Sequence, residues 1–129
     1  MEEERIFSIA EANSLLPQLE EMLLEIVRER KLLAKVEAEI KKAGDHAKED
    51  GGTTYGPRYI QAMEHIARNI EKIHEMGVLV KDLVNGLCDF PYLLDGRTVY
   101  LCWKLGESEI QWWHETHTGY SDRQPLHPS

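Results

Sequence analysis

Apolar residues recur at helical spacing in two long stretches of the chain. Steps of four and three residues alternate in the first stretch, which gives a heptad seam with one polar member: Leu15, Leu19, Met22, Ile26, Glu29, Leu33, Val36 and Ile40. The second stretch repeats the alternation: Tyr59, Met63, Ile66, Ile70 and Ile73. Because a helix with an apolar stripe buries it against another element, the pattern predicts two helices packed as a hairpin.

Local signals set the limits of the first helix. Ser8 and Glu11 form a Ser-x-x-Glu capping box, a typical helix start, and the pattern predicts a helix over 8–44. Pro17 cannot lie deep inside a regular helix, because it lacks a backbone N–H and its ring meets the preceding turn. We therefore expect a kink near Ser14, with Ser14 as the N-cap of the longer part.

A polar, glycine-rich segment at 45–56 is predicted to be a flexible connector. Pro57 then suits the first turn of a second helix, predicted over 57–77. Two interpretations compete after that. In one, the helix continues to Val84; in the other, Gly77 ends it and a β-strand follows, which the β-branched residues favour.

Three dipeptides typical of tight turns separate strand-like runs in the C-terminal half: Asn85-Gly86, Asp95-Gly96 and Gly106-Glu107. With tight turns, each strand pairs with the next. The sequence predicts an α+β protein, a helical hairpin followed by an antiparallel β-meander of three to four strands over 78–116. The tail at 117–129 is predicted to be irregular. The predicted strands are Leu79–Val84, Leu87–Leu93, Thr98–Lys104 and Glu109–Glu115.

Composition narrows the class of protein. The chain has 129 residues, 42% hydrophobic and 29% charged, as expected for a single globular domain over 1–129. Acidic residues number 23 against 15 basic ones, a formal net charge of -8. This balance predicts no binding to nucleic acid and none to an anionic membrane surface, since both need basic patches.

Cysteine usage and the N-terminus bear on the compartment. The first residues are acidic and do not resemble a signal peptide, and no apolar run is long enough to span a membrane. The chain has two cysteines, Cys88 and Cys102, and no Cys-x-x-Cys motif. The prediction is a cytoplasmic protein with reduced thiols. Cys102, between Leu101 and Trp103, is interpreted as a buried, unreactive thiol.

The predicted core is thin for the apolar surface of the helices, because short chains bury a smaller share of their surface. A homodimer in a four-helix arrangement would cover the excess; in the alternative, the sheet covers it within a monomer. One hypothesis is therefore an interaction or scaffold protein that also binds a partner of unknown identity through an aromatic sheet face. The candidate interface residues are Leu19, Met22, Leu23, Ile26, Leu33, Tyr100 and Trp113.

Two-residue turns also predict which strand residues face each other. Asp82 would face Asp89, and Asp89 would face Cys102, so two carboxylates would lie side by side and one would need a cation or a proton. The same pairing places His114 opposite Val99, on the apolar face. In the alternative, Pro91 forces a bulge and the two acids never meet.

The second hypothesis is a small-ligand or metal-binding protein, of a hydrolytic kind if it is an enzyme, which the sequence leaves undecided. Its candidate ligand-binding residues are Asp82, Asp89, Glu107, His114 and Arg123. The candidate metal ligands are His114 and His117. Their His-x-x-His spacing supplies half of a metal site and differs from the His-Glu-x-x-His motif of zinc proteases. No cofactor is predicted, although a divalent metal could bind there. The hypothesis requires the five residues to converge in one pocket.

The C-terminal half also resembles a known family. The similarity is carried by Gly86-Leu87-Cys88-Asp89-Phe90-Pro91, Asp95-Gly96-Arg97, Val99 to Glu107, Trp113-His114 and Gly119 to Leu126. In these motifs the chain resembles the short prokaryotic proteins of DUF2203, a domain of unknown function. The resemblance implies a small prokaryotic cytosolic protein and brings no activity, cofactor or catalytic residue. Cys88 stands where the resemblance leads us to expect an aliphatic residue, which counts against a role for its thiol.

Overall fold

The computed structural model describes residues 4–43 and 56–127. Two helices, α1 (Ile9–Ala43) and α2 (Gly56–Glu75), precede an antiparallel sheet. Its strands follow chain order: β1 (Leu79–Asp82), β2 (Leu87–Leu94), β3 (Arg97–Lys104), β4 (Trp112–Glu115) and β5 (Gln124–Pro125). The α+β class is confirmed. The predicted connector lies, apart from Gly56, outside the described residues.

The two helices form an antiparallel hairpin. Tyr59 of α2 donates a hydrogen bond to Glu37 of α1, and Asn69, further along α2, donates to Glu25, nearer the start of α1. The residue numbers of the bonded partners therefore decrease along α1 as they increase along α2, so the two helices run in opposite directions. In the part of the chain that the structure describes, neither helix is long and apolar enough to cross a membrane.

Helix α1 begins at the predicted capping box. Ser8 and Glu11 exchange backbone-to-side-chain hydrogen bonds of 3.1 and 3.0 Å. The helix then continues through Pro17, so the predicted second start at Ser14 is wrong. The Ser14 hydroxyl donates instead to the Glu11 carbonyl oxygen of the preceding turn at 2.6 Å. Pro17 removes one backbone bond, which a helix of 35 residues tolerates.

Helix α2 ends in a Schellman motif. The backbone N–H of Gly77 donates to His74, and that of Val78 donates to Ile73. Gly77 has φ +88°, a left-handed conformation that favours glycine. Of the two interpretations of this region, the one with a C-cap and a following strand is therefore correct.

The core lies between the hairpin and one face of the sheet. It includes the predicted α1 residues Leu19, Met22 and Ile26, which pack with β-strand residues such as Phe90 and Trp103. The α2 seam is confirmed in part. Ile66, Ile70 and Ile73 pack at the core as predicted, whereas Met63 is 49% exposed. Asn69 is also buried and donates a hydrogen bond to Glu25, and a polar residue on the inner face gives no signal in an apolar pattern.

The strand register was predicted correctly for one pair and wrongly for the next. β2 and β3 pair as predicted, with Asp89 opposite Cys102. Between β3 and β4 the register differs by one residue, and His114 lies opposite Tyr100 rather than Val99. A seven-residue connection joins the two strands, and its tight turn, closed by the bond from the Glu107 N–H to the Lys104 carbonyl oxygen, is centred on Leu105-Gly106, one residue before the predicted position. A shift of one residue moves every side chain of a strand to the opposite face.

Candidate metal centre

Three strands bring Asp89, Cys102 and His114 together on the face of the sheet away from the helices. Asp89 is on β2, Cys102 on β3 and His114 on β4. The Asp89 and His114 side chains are each 3% exposed, and Cys102 is also buried. One ligand atom from each residue lies within 4.8 Å of the other two. Among the described residues, this is the one cluster of at least three potential metal ligands at that spacing.

The ring of His114 is oriented by its own strand. Its Nδ1 lies 2.7 Å from the backbone oxygen of Glu115. Because a carbonyl oxygen can only accept, Nδ1 carries the proton of this bond. Nε2 is then the atom presented to the cluster, 3.1 Å from both carboxylate oxygens of Asp89. An imidazole fixed through Nδ1 by a carbonyl group is a typical arrangement for a histidine that binds metal through Nε2.

The electrostatics of Asp89 reflect its burial. Removal from water disfavours the carboxylate and raises the pKa of Asp89, while His114, Lys81 and the Cys102 thiol partly oppose that rise. A buried carboxyl group of this kind requires a positive partner if it is ionised, or else a proton. An imidazolium at His114 or a metal cation would meet this need.

The Cys102 thiol is protonated at neutral pH in the absence of a metal. Burial, helped by the charge of Asp89, raises the pKa of Cys102 to about 12. Both ring nitrogens of His114 already have partners, so the imidazole is not placed to remove the thiol proton. The arrangement therefore does not support nucleophilic catalysis by a cysteine–histidine pair, which needs a thiolate.

A cavity of about 130 Å³ borders the cluster. The segment after β4 passes over the outer face of the sheet and forms one wall, and Lys81 contributes an ammonium group 5.1 Å from the centre of the Tyr100 ring. The cluster is thus covered and still adjoins a space large enough for a small molecule. The remaining lining residues are Leu87, Thr116, Thr118, Gly119 and Tyr120.

Two further predicted residues, Glu107 and Arg123, lie beside the cluster and bind each other. Arg123 Nη1 is 2.9 and 3.1 Å from the Glu107 carboxylate oxygens. The guanidinium also lies over the ring of Tyr120, 4.1 Å from its centre, and close to Cys102. Arg123 therefore forms a salt bridge within the chain. This pair supports the cluster from the side and is not directed at Asp89.

The predicted pairing of Asp82 with Asp89 is wrong. Asp82 lies opposite Leu87, because the register shifts between Val80 and Asp82, and Asp89 lies opposite Leu79. The Asp82 carboxylate accepts hydrogen bonds from the turn that follows, including the Asn85 side chain at 2.9 Å. These bonds lower the pKa of Asp82. Its role is to close the turn between β1 and β2.

The predicted metal pair is divided by the structure. His114 is inside the cluster, whereas His117 is exposed on the turn after β4 and outside it. Cys102, interpreted from the sequence as an unreactive thiol, is the cluster member absent from the predicted site. The signal for it was present, because its position opposite Asp89 was predicted. His114 had been assigned to the apolar face by the error in the β3–β4 register.

The predicted interface residues mostly face the interior of the chain. Four of them, all in the N-terminal half of α1, are buried in the core: Leu19, Met22, Leu23 and Ile26. Leu33, Tyr100 and Trp113 are half-buried; Tyr100 lines the cavity and Trp113 packs against the core. This surface is therefore largely covered within one chain, as in the monomer alternative in which the sheet covers the apolar stripe of α1.

Comparison with known proteins gives one match. The family model described as "Uncharacterized conserved protein (DUF2203)" matches residues 5–126, which include every residue of the cluster. No curated protein matches the chain. No solved structure matches it either.

Proposed function

The chain belongs to the family described as "Uncharacterized conserved protein (DUF2203)", and we propose that it binds a divalent transition-metal ion through Asp89, Cys102 and His114. Zinc is the ion that we propose first. The observation that carries the proposal is the fixed imidazole. Glu115 holds Nδ1 through its backbone oxygen, so Nε2 is directed at the other two ligands.

The spacing of the ligand atoms supports the proposal. Zinc bonds of about 2.0–2.3 Å at tetrahedral angles separate ligand atoms by roughly 3.3–3.6 Å. The Nε2 atom of His114 is 3.1 Å from each Asp89 oxygen, and the three ligand atoms lie within 4.8 Å of one another. Small adjustments of buried side chains would bring them to bonding distance.

The chemistry of the ligands favours a transition metal over calcium or magnesium. Those two ions prefer oxygen ligands, whereas nitrogen and sulfur ligands suit zinc and its first-row neighbours. Binding would displace the thiol proton of Cys102, which the positive charge of the ion makes favourable. The same charge would compensate the buried carboxylate of Asp89.

Three protein ligands leave one position of a tetrahedral ion open. In zinc enzymes that position holds water or substrate, whereas structural sites are closed by a fourth protein ligand. The cavity lies next to the cluster, so the open position would face it. This arrangement supports a ligand-binding centre and makes hydrolysis the reaction class to assay first.

The experiment measures metal content and cobalt binding in the tag-free chain. We expect one ion per chain and, with Co²⁺, a thiolate-to-cobalt charge-transfer band in the near ultraviolet. Cys102→Ser removes the band and most of the affinity. Cys88→Ser is the matched control, because Cys88 is equally buried and lies on the opposite face of the sheet. His117→Ala, at an exposed position, leaves binding unchanged.

Two results would contradict the proposal. One is a metal-free protein that does not bind Zn²⁺ or Co²⁺ and whose His114 imidazole carries both protons by NMR, since the cluster is then a buried ion pair. The other is equal loss of metal in Cys88→Ser and Cys102→Ser. His114→Ala is a secondary variant only, because it leaves Asp89 buried without its partner.

We further propose that the chain forms a homodimer through the outer face of α2. Ile60 is 59% and Met63 is 49% exposed, and the exposed Ala67 follows on the same face at helical spacing. Apolar side chains grouped on one helix face are typical of association sites. Light scattering tests this proposal. We expect the mass of a dimer for the unaltered chain and the mass of a monomer for the double variant Ile60→Glu and Met63→Glu. Gln61→Glu, exposed on the same helix, is the control; a monomeric unaltered chain contradicts the proposal.

We also propose that the protein works in the cytoplasm. Both cysteines are free and buried, and Cys88 lies opposite Trp103 rather than Cys102. A reducing compartment suits such thiols. Imaging of the tagged chain in cells tests this proposal. A secreted pool of the protein would contradict it.

A further inference from the structure

We infer that the cavity beside the metal centre binds a small anion, through a carboxylate or phosphate oxygen, with Lys81 as the second contact. The inference rests on the proposed function, because the anion would occupy the open position of the metal ion. It goes beyond that function by assigning a ligand class and a residue outside the cluster.

The charges of the metal centre and its surroundings favour an anionic ligand. A divalent ion with a carboxylate from Asp89, a thiolate from Cys102 and a neutral imidazole from His114 has no net charge. Lys81 then adds a positive charge to the cavity. A monoanionic ligand would neutralise this charge by direct attraction.

Lys81 is the basic residue placed for this role. Among the described residues, it is the only lysine or arginine that lines the cavity. Arg123, beside the cluster, binds Glu107 at 2.9 Å. Arg97 lies over the Trp113 ring on the other face of the sheet, where it binds Glu115 at 2.9 Å. The Lys81 ammonium lies over the Tyr100 ring, whose negative face holds it beside the cavity.

The size of the cavity limits the ligand to a small one. A volume of about 130 Å³ corresponds to roughly four water molecules, taking about 30 Å³ for each. A space of this size suits acetate, inorganic phosphate or the acidic group of a small metabolite.

The test uses the full-length chain loaded with Co²⁺, titrated separately with acetate and with inorganic phosphate. We expect a saturable change in the visible cobalt spectrum, and the anion that binds tighter identifies the preferred group. Lys81→Ala weakens anion binding about tenfold, the effect of losing one charge-assisted contact, and leaves Co²⁺ affinity unchanged. Lys72→Ala, exposed on α2, is the control and has no effect on either.

The outcomes separate this inference from the proposed function. If Co²⁺ binds and neither anion changes its spectrum, the inference is overturned while the metal site stands. If anions bind equally well to Lys81→Ala and the unaltered chain, the role of Lys81 is overturned. If Co²⁺ does not bind at all, the proposed function fails first and the inference with it.

Discussion

At the scale of single residues, the buried thiols have a direct chemical consequence. Burial raises the pKa of both Cys88 and Cys102 to about 12. Because only the thiolate reacts rapidly, neither cysteine should react with an aromatic disulfide reagent at pH 8 in the folded chain. Both should react within the mixing time after denaturation in guanidinium chloride. Rapid modification of either thiol in the native protein would contradict this prediction.

Acid stability depends in part on Asp82. Hydrogen bonds from Asn85 and the turn lower the pKa of Asp82 below its value in the unfolded chain. Such a group stabilises the fold above its unfolded pKa, and the contribution disappears as pH falls through the folded pKa. Urea unfolding between roughly pH 5 and pH 2 should therefore show a smaller loss of stability in Asp82→Asn. An identical pH dependence in both proteins would contradict this account.

Individual residues also show what the sequence could and could not predict. Asp89 was placed opposite Cys102 correctly, because a tight Asp-Gly turn fixes the β2–β3 register locally. His114 was placed on the wrong face, because the β3–β4 register depends on contacts distant in sequence. One is the hydrogen bond from the Ile110 backbone to the Asn13 side chain, 2.7 Å long and 97 residues apart in the chain.

At the scale of elements, the conformation that ends α2 depends on a glycine, and this dependence can be tested. Gly77 has φ +88°, and a Cβ there would lie 2.8 Å from Cβ of Arg5. Gly77→Ala should lower the free energy of unfolding by about 1–3 kcal/mol, since it adds left-handed strain and a steric clash. Gly56→Ala is the matched control, because a Cβ at Gly56 meets nothing within 4 Å. Equal urea midpoints for the two variants would contradict the prediction.

The elements themselves were predicted well where their signals are local. The capping box at Ser8, the C-cap at Gly77 and the turns at Gly86 and Gly96 all mark element ends in the structure. β5 was missed because its two residues, Gln124 and Pro125, carry no alternating pattern. It forms only because β4 offers a partner at Trp112 and Trp113.

At the scale of the whole molecule, the sheet separates two environments. Its inner face joins the helices in an apolar core, and its outer face holds the Asp89–Cys102–His114 cluster under the segment after β4. The cluster links three strands that a single hydrophobic core already holds. Any ion bound there would stabilise the sheet and its covering segment together.

Thermal unfolding therefore reports on the metal centre through the whole fold. A ligand that binds only the folded state stabilises it by about 2.7 kcal/mol when its free concentration is a hundredfold above Kd. Zn²⁺ should raise Tm of the unaltered chain and of Cys88→Ser by several degrees, and a chelator should reverse the rise. In Cys102→Ser most of the rise should be lost, because the remaining Asp89 and His114 supply two ligands, too few to hold zinc tightly. A Tm that does not respond to Zn²⁺ in the unaltered chain would mean that Asp89 and His114 form an ion pair whose role is structural.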